Sequence, residues 1–335
     1  MNRKHIITCL KAGLVPMMQG APGAGKSAIF EDIANELQWD YLPVIMSVME
    51  PIDPMGLPSI DVENHVAEFI AFGTFAQIYG ATKDTLVLLD DLGQATASVQ
   101  SAVMQIIHSR RLNKHTVPTC VHFAVATNRP KDRAGVQQVI SPIRGRVQTF
   151  DVSTSCTCDA RTTCDWHLWA EKANIHPAVS AFAKFQPTAM AEYDDPNIDH
   201  QKQICSARAL EYLSMAEYAG IHDPAIELIQ ACIGEKYANH YLAFRTMYRS
   251  LPIYADIVHN PETAPVPNAI DQLIAISTMV THQCNDADAD NLMQYISRMP
   301  TEIATCTVMA LTRKFPQIVN CKGFVNWTNV NGLLQ

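Results

Sequence analysis

Residues Gly20 to Ser27 match a phosphate-binding pattern at every fixed position. The segment reads Gly-Ala-Pro-Gly-Ala-Gly-Lys-Ser, which fits G-x-x-x-x-G-K-[ST]. Its glycines allow a tight backbone turn, so that successive N–H groups point at phosphate oxygens. Lys26 supplies a positive charge for the β- and γ-phosphates, and the hydroxyl of Ser27 is a hard oxygen ligand for Mg²⁺. The residues expected to contact the nucleotide are Gly20, Pro22, Gly23, Ala24, Gly25, Lys26, Ser27 and Ala28.

Two acidic residues, Asp90 and Asp91, end the apolar run that begins at Thr85. Such a run is typical of a strand buried on both faces of a parallel sheet, and ligands bind at the carboxyl ends of such strands. Asp90 is therefore a candidate to hold Mg²⁺ through water, together with Ser27. Asp91 is a candidate to orient or deprotonate an attacking water. The alternative is a strand that ends in two solvated acids.

A third apolar run, residues 121–126, ends in Thr127 and Asn128. The carboxamide of Asn128 could donate a hydrogen bond to a γ-phosphate or hold the attacking water. Alternatively, Asn128 begins the turn at Arg129-Pro130, which is a common use of asparagine.

The elements that position these residues follow from the apolar spacing. Residues 14–19 predict a buried strand and residues 27–37 a helix with Ile29, Ile33 and Leu37 on one face, which places the phosphates at a helix N-terminus. Strands and helices alternate over the first 150 residues, as expected for a parallel sheet covered by helices. Further helices are predicted over residues 166–185, 207–219, 268–282 and 289–315, and the tail after Gln317 has no informative pattern.

These patterns predict three parts. An α/β nucleotide-binding domain covers residues 1–155, and an α-helical domain covers residues 165–260. A proline-rich linker, whose prolines lie within residues 260–267, opens a helical C-terminal extension over residues 261–335.

Taken together, the motifs resemble those of AAA+ ATPases. The phosphate loop, Asp90-Asp91, Thr127-Asn128, residues 142–146 and residues 206–210 occur in the order of Walker A, Walker B, sensor 1, arginine finger and sensor 2. Residues 50–58 and 110–118 resemble the helix-2 insertion and the hairpin before sensor 1 of the MoxR-like branch. The resemblance covers about residues 1–260.

The resemblance implies an AAA+ P-loop domain followed by a helical lid, with ATP and Mg²⁺ as ligands. It also implies a homo-oligomeric ring, usually a hexamer, that remodels a protein partner in a chaperone-like way; many such proteins act with a von Willebrand A domain protein. Arg146 would be the finger that reaches a neighbouring subunit, with Arg144 as the competing candidate, and Arg208 would be sensor 2. The alternative for Arg144 and Arg146 is a solvated loop charge, and the alternative for Arg208 is an N-terminal helix residue with a surface salt bridge.

The sequence departs from the family pattern at two places. Asp91 stands where the family usually has Glu, and Gly93-Gln94 stands where it often has Asn-Arg. An Asp carboxylate lies about 1.5 Å further from the attacking water than that of Glu, which predicts slow hydrolysis. A second hypothesis is therefore a switch that binds ATP to assemble a scaffold and turns over little.

Composition restricts the partners. The net charge is -8 and no basic run occurs, which argues against a nucleic-acid surface. Arg110, Arg111 and Lys114 form one local cluster, and they are the only support for a third hypothesis, an ATPase that acts on DNA. The N-terminus does not predict a targeting segment, and no window is apolar enough to span a membrane, so we expect a cytoplasmic protein.

Four potential metal ligands lie close together in the sequence. The chain has 10 cysteines, which in this setting are expected to be reduced thiols. Cys156, Cys158, Cys164 and His167 could bind Zn²⁺ tetrahedrally, although the spacing departs from paired C-x₂-C knuckles. The alternative is an exposed, thiol-rich connector between the two domains.

Overall fold

The computed structural model describes residues 3–63, 65–132, 138–158, 163–223 and 225–331. The chain divides into two compact units, residues 1–153 and residues 154–335.

The first unit is built on a five-stranded parallel sheet and also contains two antiparallel hairpins. The strand order in the sheet is β2-β5-β8-β1-β9, β3 pairs with β4, and β6 pairs with β7. The strands are β1 (Pro16–Gly20), β2 (Asp40–Ile45), β3 (Leu57–Asp61), β4 (Val66–Ile70), β5 (Thr85–Asp90), β6 (Arg111–Leu112), β7 (His115–Thr116), β8 (Val121–Asn128) and β9 (Gln148–Val152).

Helices cover both faces of this sheet. They are α1 (Arg3–Lys11), α2 (Lys26–Leu37), α3 (Ile52–Met55), α4 (Gly73–Tyr79), α5 (Ala97–Ser109) and α6 (Ser141–Arg144). A hydrophobic core lies on each face of the sheet, and successive strand residues point into different cores. Val87 of β5 lies in one core and Leu88 lies in the other. This two-sided burial explains why the sequences of β5 and β8 are almost continuously apolar. The predicted fold class, a parallel sheet flanked by helices, is confirmed.

Helix α2 buries a slightly different face from the predicted one. Phe30, Ile33 and Ala34 are fully buried, whereas Ile29 and Leu37 pack only partly against the same core. Phe30 is the largest of the three fully buried side chains, and the buried face of α2 is shifted toward it.

Strands β1 and β8 are neighbours from which the chain leaves in opposite directions. It passes from β1 to β2 at one edge of the sheet, and from β8 to β9 on the other side. The connecting helices accordingly pack on opposite faces, with Phe30 of α2 in one core and Ile143 of α6 in the other. A ligand crevice forms outside the carboxyl ends of two such strands. Gly20 and Asn128, the last residues of β1 and β8, pair with each other at this point.

The second unit is helical around one hydrophobic core. Its helices are α7 (Asp165–Lys172), α8 (Pro177–Phe185), α9 (Ala207–Ala219), α10 (Ile226–Arg249), α11 (Tyr254–His259), α12 (Ile270–Gln283), α13 (Ala289–Ile296), α14 (Thr301–Lys314) and α15 (Lys322–Asn331). None of the described helices of the chain combines enough length with enough apolar character for a membrane crossing.

Two predicted helices are each divided in the structure. The predicted helix over residues 166–185 breaks where Asn174 adopts a left-handed conformation, with φ of 55°, and α8 then begins at Pro177. The predicted helix over residues 289–315 breaks before Pro300, because the residue before a proline disfavours helical geometry. Helix α15 was not predicted, and Trp327 anchors it in the core.

The proline-rich segment 260–267 lies against α13. The hydroxyl of Tyr295 donates to the Pro265 carbonyl at 2.7 Å, and Arg298 donates to the carbonyls of Pro261 and Ala264. The three-part division of the chain stays a prediction.

Gly234 generates a stability prediction for the second unit. Its φ is 77°, and a Cβ there would lie 2.2 Å from the Gln203 carbonyl oxygen. We expect Gly234→Ala to destabilise the protein by about 2–5 kcal/mol, from left-handed strain and overpacking together. Gly220 has φ of 86°, but a Cβ there would meet no atom within 4 Å, so Gly220→Ala should cost only about 1–2 kcal/mol. Urea unfolding measures both, and equal costs would contradict the close approach at Gly234.

Candidate functional site

The phosphate-loop glycines have different structural roles. Gly23 and Gly25 adopt positive φ values of 70° and 80°, which other residues reach only with strain. Gly20 is required for close packing instead, since a Cβ there would lie 3.0 Å from the Cβ of Val152 on β9. Because Gly25 is the N-cap of α2 and has no side chain, the first-turn N–H groups of α2 receive no side-chain acceptor from it.

Lys26 is the first residue of α2 and is buried, with 7% of its surface exposed. Its Nζ donates to the carbonyls of Gly20 and Ala21 at 3.1 and 2.9 Å, and to Oδ1 of Asn128 at 2.7 Å. The ammonium group therefore lies between the carboxyl ends of the neighbouring strands β1 and β8.

Ser27 and Asp90 are also in contact. The Ser27 hydroxyl donates to Oδ2 of Asp90 at 2.6 Å, while Oδ1 of Asp90 accepts from the backbone N–H of Asp91 at 3.0 Å. A hydroxyl and a carboxylate so close together are the hard oxygen donors that Mg²⁺ prefers. Both predicted metal-binding residues thus fit a magnesium ion beside the phosphate loop.

Asn128 joins the lysine to the second acid. Its Nδ2 donates to Oδ1 of Asp91 at 3.2 Å, while its Oδ1 accepts from Lys26. The side chain is 8% exposed, so it lies inside the crevice. Asn128 is thus not only a residue that begins the turn at Pro130.

Asp91 adopts a left-handed backbone conformation, with φ of 54° and ψ of 34°. Asp and Asn visit this region more readily than Glu does, and occupying it costs about 1–2 kcal/mol. The conformation turns the chain out of β5 into a short 3₁₀ helix, Leu92–Gln94. This left-handed conformation is also easier for Asp, the acid found here, than for the longer Glu.

The remaining loop residues Pro22, Ala24 and Ala28 flank the lysine, on the loop and in the first turn of α2. A Cβ placed on Gly25 would meet no atom within 4 Å, so space is open beside the loop. The donor set, the buried cation and this space fit a nucleotide phosphate chain with its Mg²⁺.

The candidate arginines of the first unit are exposed and bind their own segment. Arg146 donates to the Pro142 carbonyl at 2.7 Å, and Arg144 donates to the Val139 carbonyl at 3.2 Å. Arg208 belongs to the second unit, where it is exposed in the first turn of α9, whose N-cap is Ser206.

Sequence analysis missed Tyr41, which lies on the edge strand β2. Its hydroxyl donates to the Ser27 carbonyl at 3.2 Å. Burial raises the pKa of Tyr41, and the negative charges of Asp90 and Glu31 raise it further, so the phenol stays a hydrogen-bond donor. No local pattern marks this residue, because its contact with Ser27 arises only when α2 packs against β2.

The segments 50–58 and 110–118, which the sequence separates widely, lie against each other. Asn113 Nδ2 donates to the Met55 carbonyl at 2.9 Å. His115 Nε2 is 2.8 Å from the Phe69 carbonyl oxygen, and Lys114 forms an ion pair with Glu68. The β6–β7 hairpin is thus held to α3 and to the β3–β4 hairpin.

The basic cluster of this region is occupied by internal contacts. Arg110 donates to the carbonyls of Pro118 and Val121 and lies over the ring of Phe123. Arg111 donates to the Asn113 carbonyl at 3.1 Å. Lys114 is ion-paired with Glu68, so each of the three residues has a partner within this region of the first unit.

Known proteins similar to this chain are found among solved structures. No family model and no curated protein matches the chain. Among solved structures it is similar to a single-site mutant of RuvB from Thermotoga maritima, with 12% identity, a TM-score of 0.36 and coverage of 99% of this chain and 88% of that chain. For the Thermotoga maritima RuvB Holliday junction branch migration motor, the identity is 11%, the TM-score 0.34 and the coverage 99% and 87%. For NtrX from Brucella abortus, the identity is 13%, the TM-score 0.34 and the coverage 99% and 64%. At this level of likeness, the function follows from the geometry of the site and not from these structures.

The contacts of Lys26 predict its effect on nucleotide binding. We expect Lys26→Ala to weaken binding of a fluorescent ATP analogue at least about tenfold, because a charge-assisted hydrogen bond contributes about 1.5–3 kcal/mol. Lys83 is an exposed lysine of the same unit, so Lys83→Ala is the matched control and should bind normally. Circular dichroism of both variants checks their fold. Equal affinities in the folded proteins would refute the assignment of this loop.

Proposed function

We propose that this chain is a ring-forming AAA+ ATPase of MoxR type that binds Mg·ATP, hydrolyses it and uses the energy to remodel a protein partner. The observation that carries the proposal is the set of contacts at the ends of three adjacent strands. Lys26 binds Asn128, Asn128 binds Asp91, and Ser27 binds Asp90. A cation, an amide, a hydroxyl and two carboxylates in this arrangement can bind phosphate, hold a metal ion and orient a water for phosphoanhydride hydrolysis.

Each residue has one role in the proposed reaction. Lys26 and the N–H groups of the loop hold the β- and γ-phosphates, and Ser27 and Asp90 hold Mg²⁺, which neutralises phosphate charge. Asp91 orients a water molecule and accepts its proton as the water oxygen bonds to the γ-phosphorus. The bond from that phosphorus to the bridging oxygen breaks, which yields ADP and phosphate. Asn128 keeps the Asp91 carboxylate aligned with the γ-phosphate.

The ring supplies the remaining charges. The exposed Arg146 is suited to reach the γ-phosphate of a neighbouring subunit, since a planar, permanently charged guanidinium stabilises charge in phosphoryl transfer. Arg208 is proposed to contact the phosphate from the helical lid of the same subunit. Both roles follow from the family resemblance, and the hexamer is part of the same proposal.

An exposed apolar surface on the β3–β4 hairpin supports a protein partner. Its exposed large hydrophobic residues are Leu57, Ile60, Val62, Val66, Phe69 and Ile70, and Ile60 is 76% exposed. Leu57, Val66 and Ile70 lie on one face of the hairpin and Ile60 and Phe69 on the other, because side chains alternate along each strand. Exposed apolar patches typically mark protein interaction sites. A von Willebrand A domain protein is the proposed class of partner. The internal contacts of Arg110 and Lys114 weaken the argument for a DNA-acting enzyme, which rests on this cluster alone.

The left-handed Asp91 supports a second candidate function, a low-turnover assembly switch. The short carboxylate already binds Asn128, which limits its reach toward a water at the γ-phosphate. A ring of this kind would assemble with ATP and hydrolyse it slowly.

Substitution of the two exposed arginines tests the finger assignment. We expect Arg146→Ala to keep nucleotide binding and lose hydrolysis, because a finger in trans stabilises transition-state charge and not ground-state ATP. The loss should be about 10³-fold or more. Arg144→Ala is the matched control and should retain most activity. Mixed rings of Arg146→Ala and Asp91→Asn subunits should recover a small fraction of the rate. The reverse ranking of the two arginines would assign the finger to Arg144.

Substitution of Asp91 separates motor from switch. We expect Asp91→Asn to retain ATP affinity and to hydrolyse ATP about 10²–10⁴-fold more slowly, since an amide cannot accept the proton. Asp91→Glu should hydrolyse faster than wild type, because its longer side chain extends past Asn128. It should also unfold at a lower temperature, since Glu tolerates the left-handed backbone less well.

Steady-state ATPase rates, with size-exclusion profiles in ATP, measure these outcomes. A loss below about threefold in Asp91→Asn, with ATP-dependent assembly intact, would favour the switch over the motor. If Asp91→Glu is slower than wild type, the site works around the shorter acid and the expected gain in reach is wrong.

A further inference from the structure

A second cluster of reactive side chains lies at the start of the second unit. None of its four residues belongs to the proposed ATPase site. The Sγ atoms of Cys156, Cys158 and Cys164 and one ring nitrogen of His167 all lie within 4.8 Å of one another. Nδ1 of His167 is 3.6, 3.3 and 3.1 Å from the three sulfur atoms in that order. Cys164 Sγ is 3.5 Å from Cys158 Sγ and 4.0 Å from Cys156 Sγ.

These distances match the edges of a coordination tetrahedron. With Zn–S of about 2.3 Å and Zn–N of about 2.05 Å, tetrahedral geometry requires S···S of about 3.8 Å and S···N of about 3.5 Å. The sulfur atoms are too far apart to be bonded to each other. They are also too close together for a polynuclear iron–sulfur cluster, in which the ligands must surround several metal ions.

The surroundings orient the histidine as a ligand. His167 is 1% exposed, and its Nε2 is 3.0 Å from the carbonyl oxygen of Ser180 on α8. A proton on Nε2 donated to this carbonyl leaves the lone pair of Nδ1 directed at the three sulfurs, and metal-bound histidines generally have such a partner. The backbone N–H of Cys164 donates to Cys158 Sγ at 3.2 Å, which is a suitable hydrogen bond to a thiolate.

We propose that Cys156, Cys158, Cys164 and His167 bind one Zn²⁺ ion in a closed, structural site. Three thiolates and an imidazole are a recognised zinc ligand set, and because the protein supplies all four ligands, the metal has no position for a substrate. The expectation of an exposed, thiol-rich connector is therefore replaced by a cluster with a buried histidine.

The zinc ion fixes the first segment of the second unit onto the helical core. Among the described residues of this segment, Cys156 N–H donates to the Pro187 carbonyl at 2.8 Å, and Arg313 of α14 binds Thr163 and Glu171. His167 connects the metal to α8 through Ser180. The metal thus ties a short loop and the start of α7 to α8.

Metal analysis of the unmodified chain tests the site without any mutation. Purified from zinc-supplemented medium without chelators, the protein should contain about one zinc per chain by mass spectrometry. Cobalt exchanged into the site should give thiolate-to-metal charge-transfer bands and the intense visible bands of tetrahedral Co²⁺. A folded protein that contains no zinc and gives no tetrahedral Co²⁺ spectrum would overturn the proposal.

A matched pair of variants assigns the ligands. Cys158→Ser should lose the bound zinc and lower the unfolding temperature, whereas Cys232→Ser, at a half-buried cysteine of α10 outside the cluster, should retain one zinc per chain. Zinc retained in full by Cys158→Ser would refute the assignment. If Cys158→Ser does not fold, the wild-type cobalt spectrum still decides, since three sulfur ligands and one nitrogen give a distinct charge-transfer intensity. ATP binding by the Cys232→Ser protein checks that the first unit is intact.

Discussion

The arrangement of the candidate nucleotide site depends on the hydrogen bonds of the Lys26 ammonium group. A buried charge is costly unless polar partners surround it, and here three oxygen atoms do so at 2.7–3.1 Å. Two of these oxygens belong to the end of β1 and the loop after it, and the third belongs to the end of β8. The lysine therefore joins two neighbouring strands where the chain leaves them in opposite directions. Because Asn128 also binds Asp91, the position of the second acid follows from that of the lysine.

The two candidate ligand sites of the chain differ in chemistry as well as in location. Beside the phosphate loop, Ser27 and Asp90 offer oxygen atoms, which suit a hard, hydrated cation such as Mg²⁺. In the second unit, three thiols and an imidazole offer softer donors, which suit zinc. The first set can exchange its ion together with the nucleotide, since Mg²⁺ is shared with phosphate oxygens. The proposed zinc is enclosed by protein ligands and would stay with the chain. In the two proposals, function and local stability therefore depend on different metals in different units.

The two hairpins of the first unit contact each other mostly through polar groups. The β6–β7 hairpin reaches the β3–β4 hairpin through Lys114 and His115, and its neighbour Asn113 reaches the Met55 carbonyl. The apolar side chains of β3 and β4, such as Ile60, remain exposed. A surface that exposes apolar residues while its polar groups are satisfied internally can bury area against a partner at little desolvation cost.

The sequence by itself determined the phosphate loop, the apolar strands β1, β5 and β8, and the polar residues that end them, because backbone sterics and hydrophobic periodicity act over a few residues. It also indicated the fold class and the cysteine cluster. It did not determine the buried face of α2, the breaks at Asn174 and Pro300, or helix α15, since these depend on which core each side chain enters. Tertiary structure alone decided that Asn128 contacts Lys26 from 102 residues away, that Tyr41 reaches Ser27, and that Nδ1 of His167 faces three sulfurs. Each of these contacts requires strand order or helix packing, which no local pattern encodes.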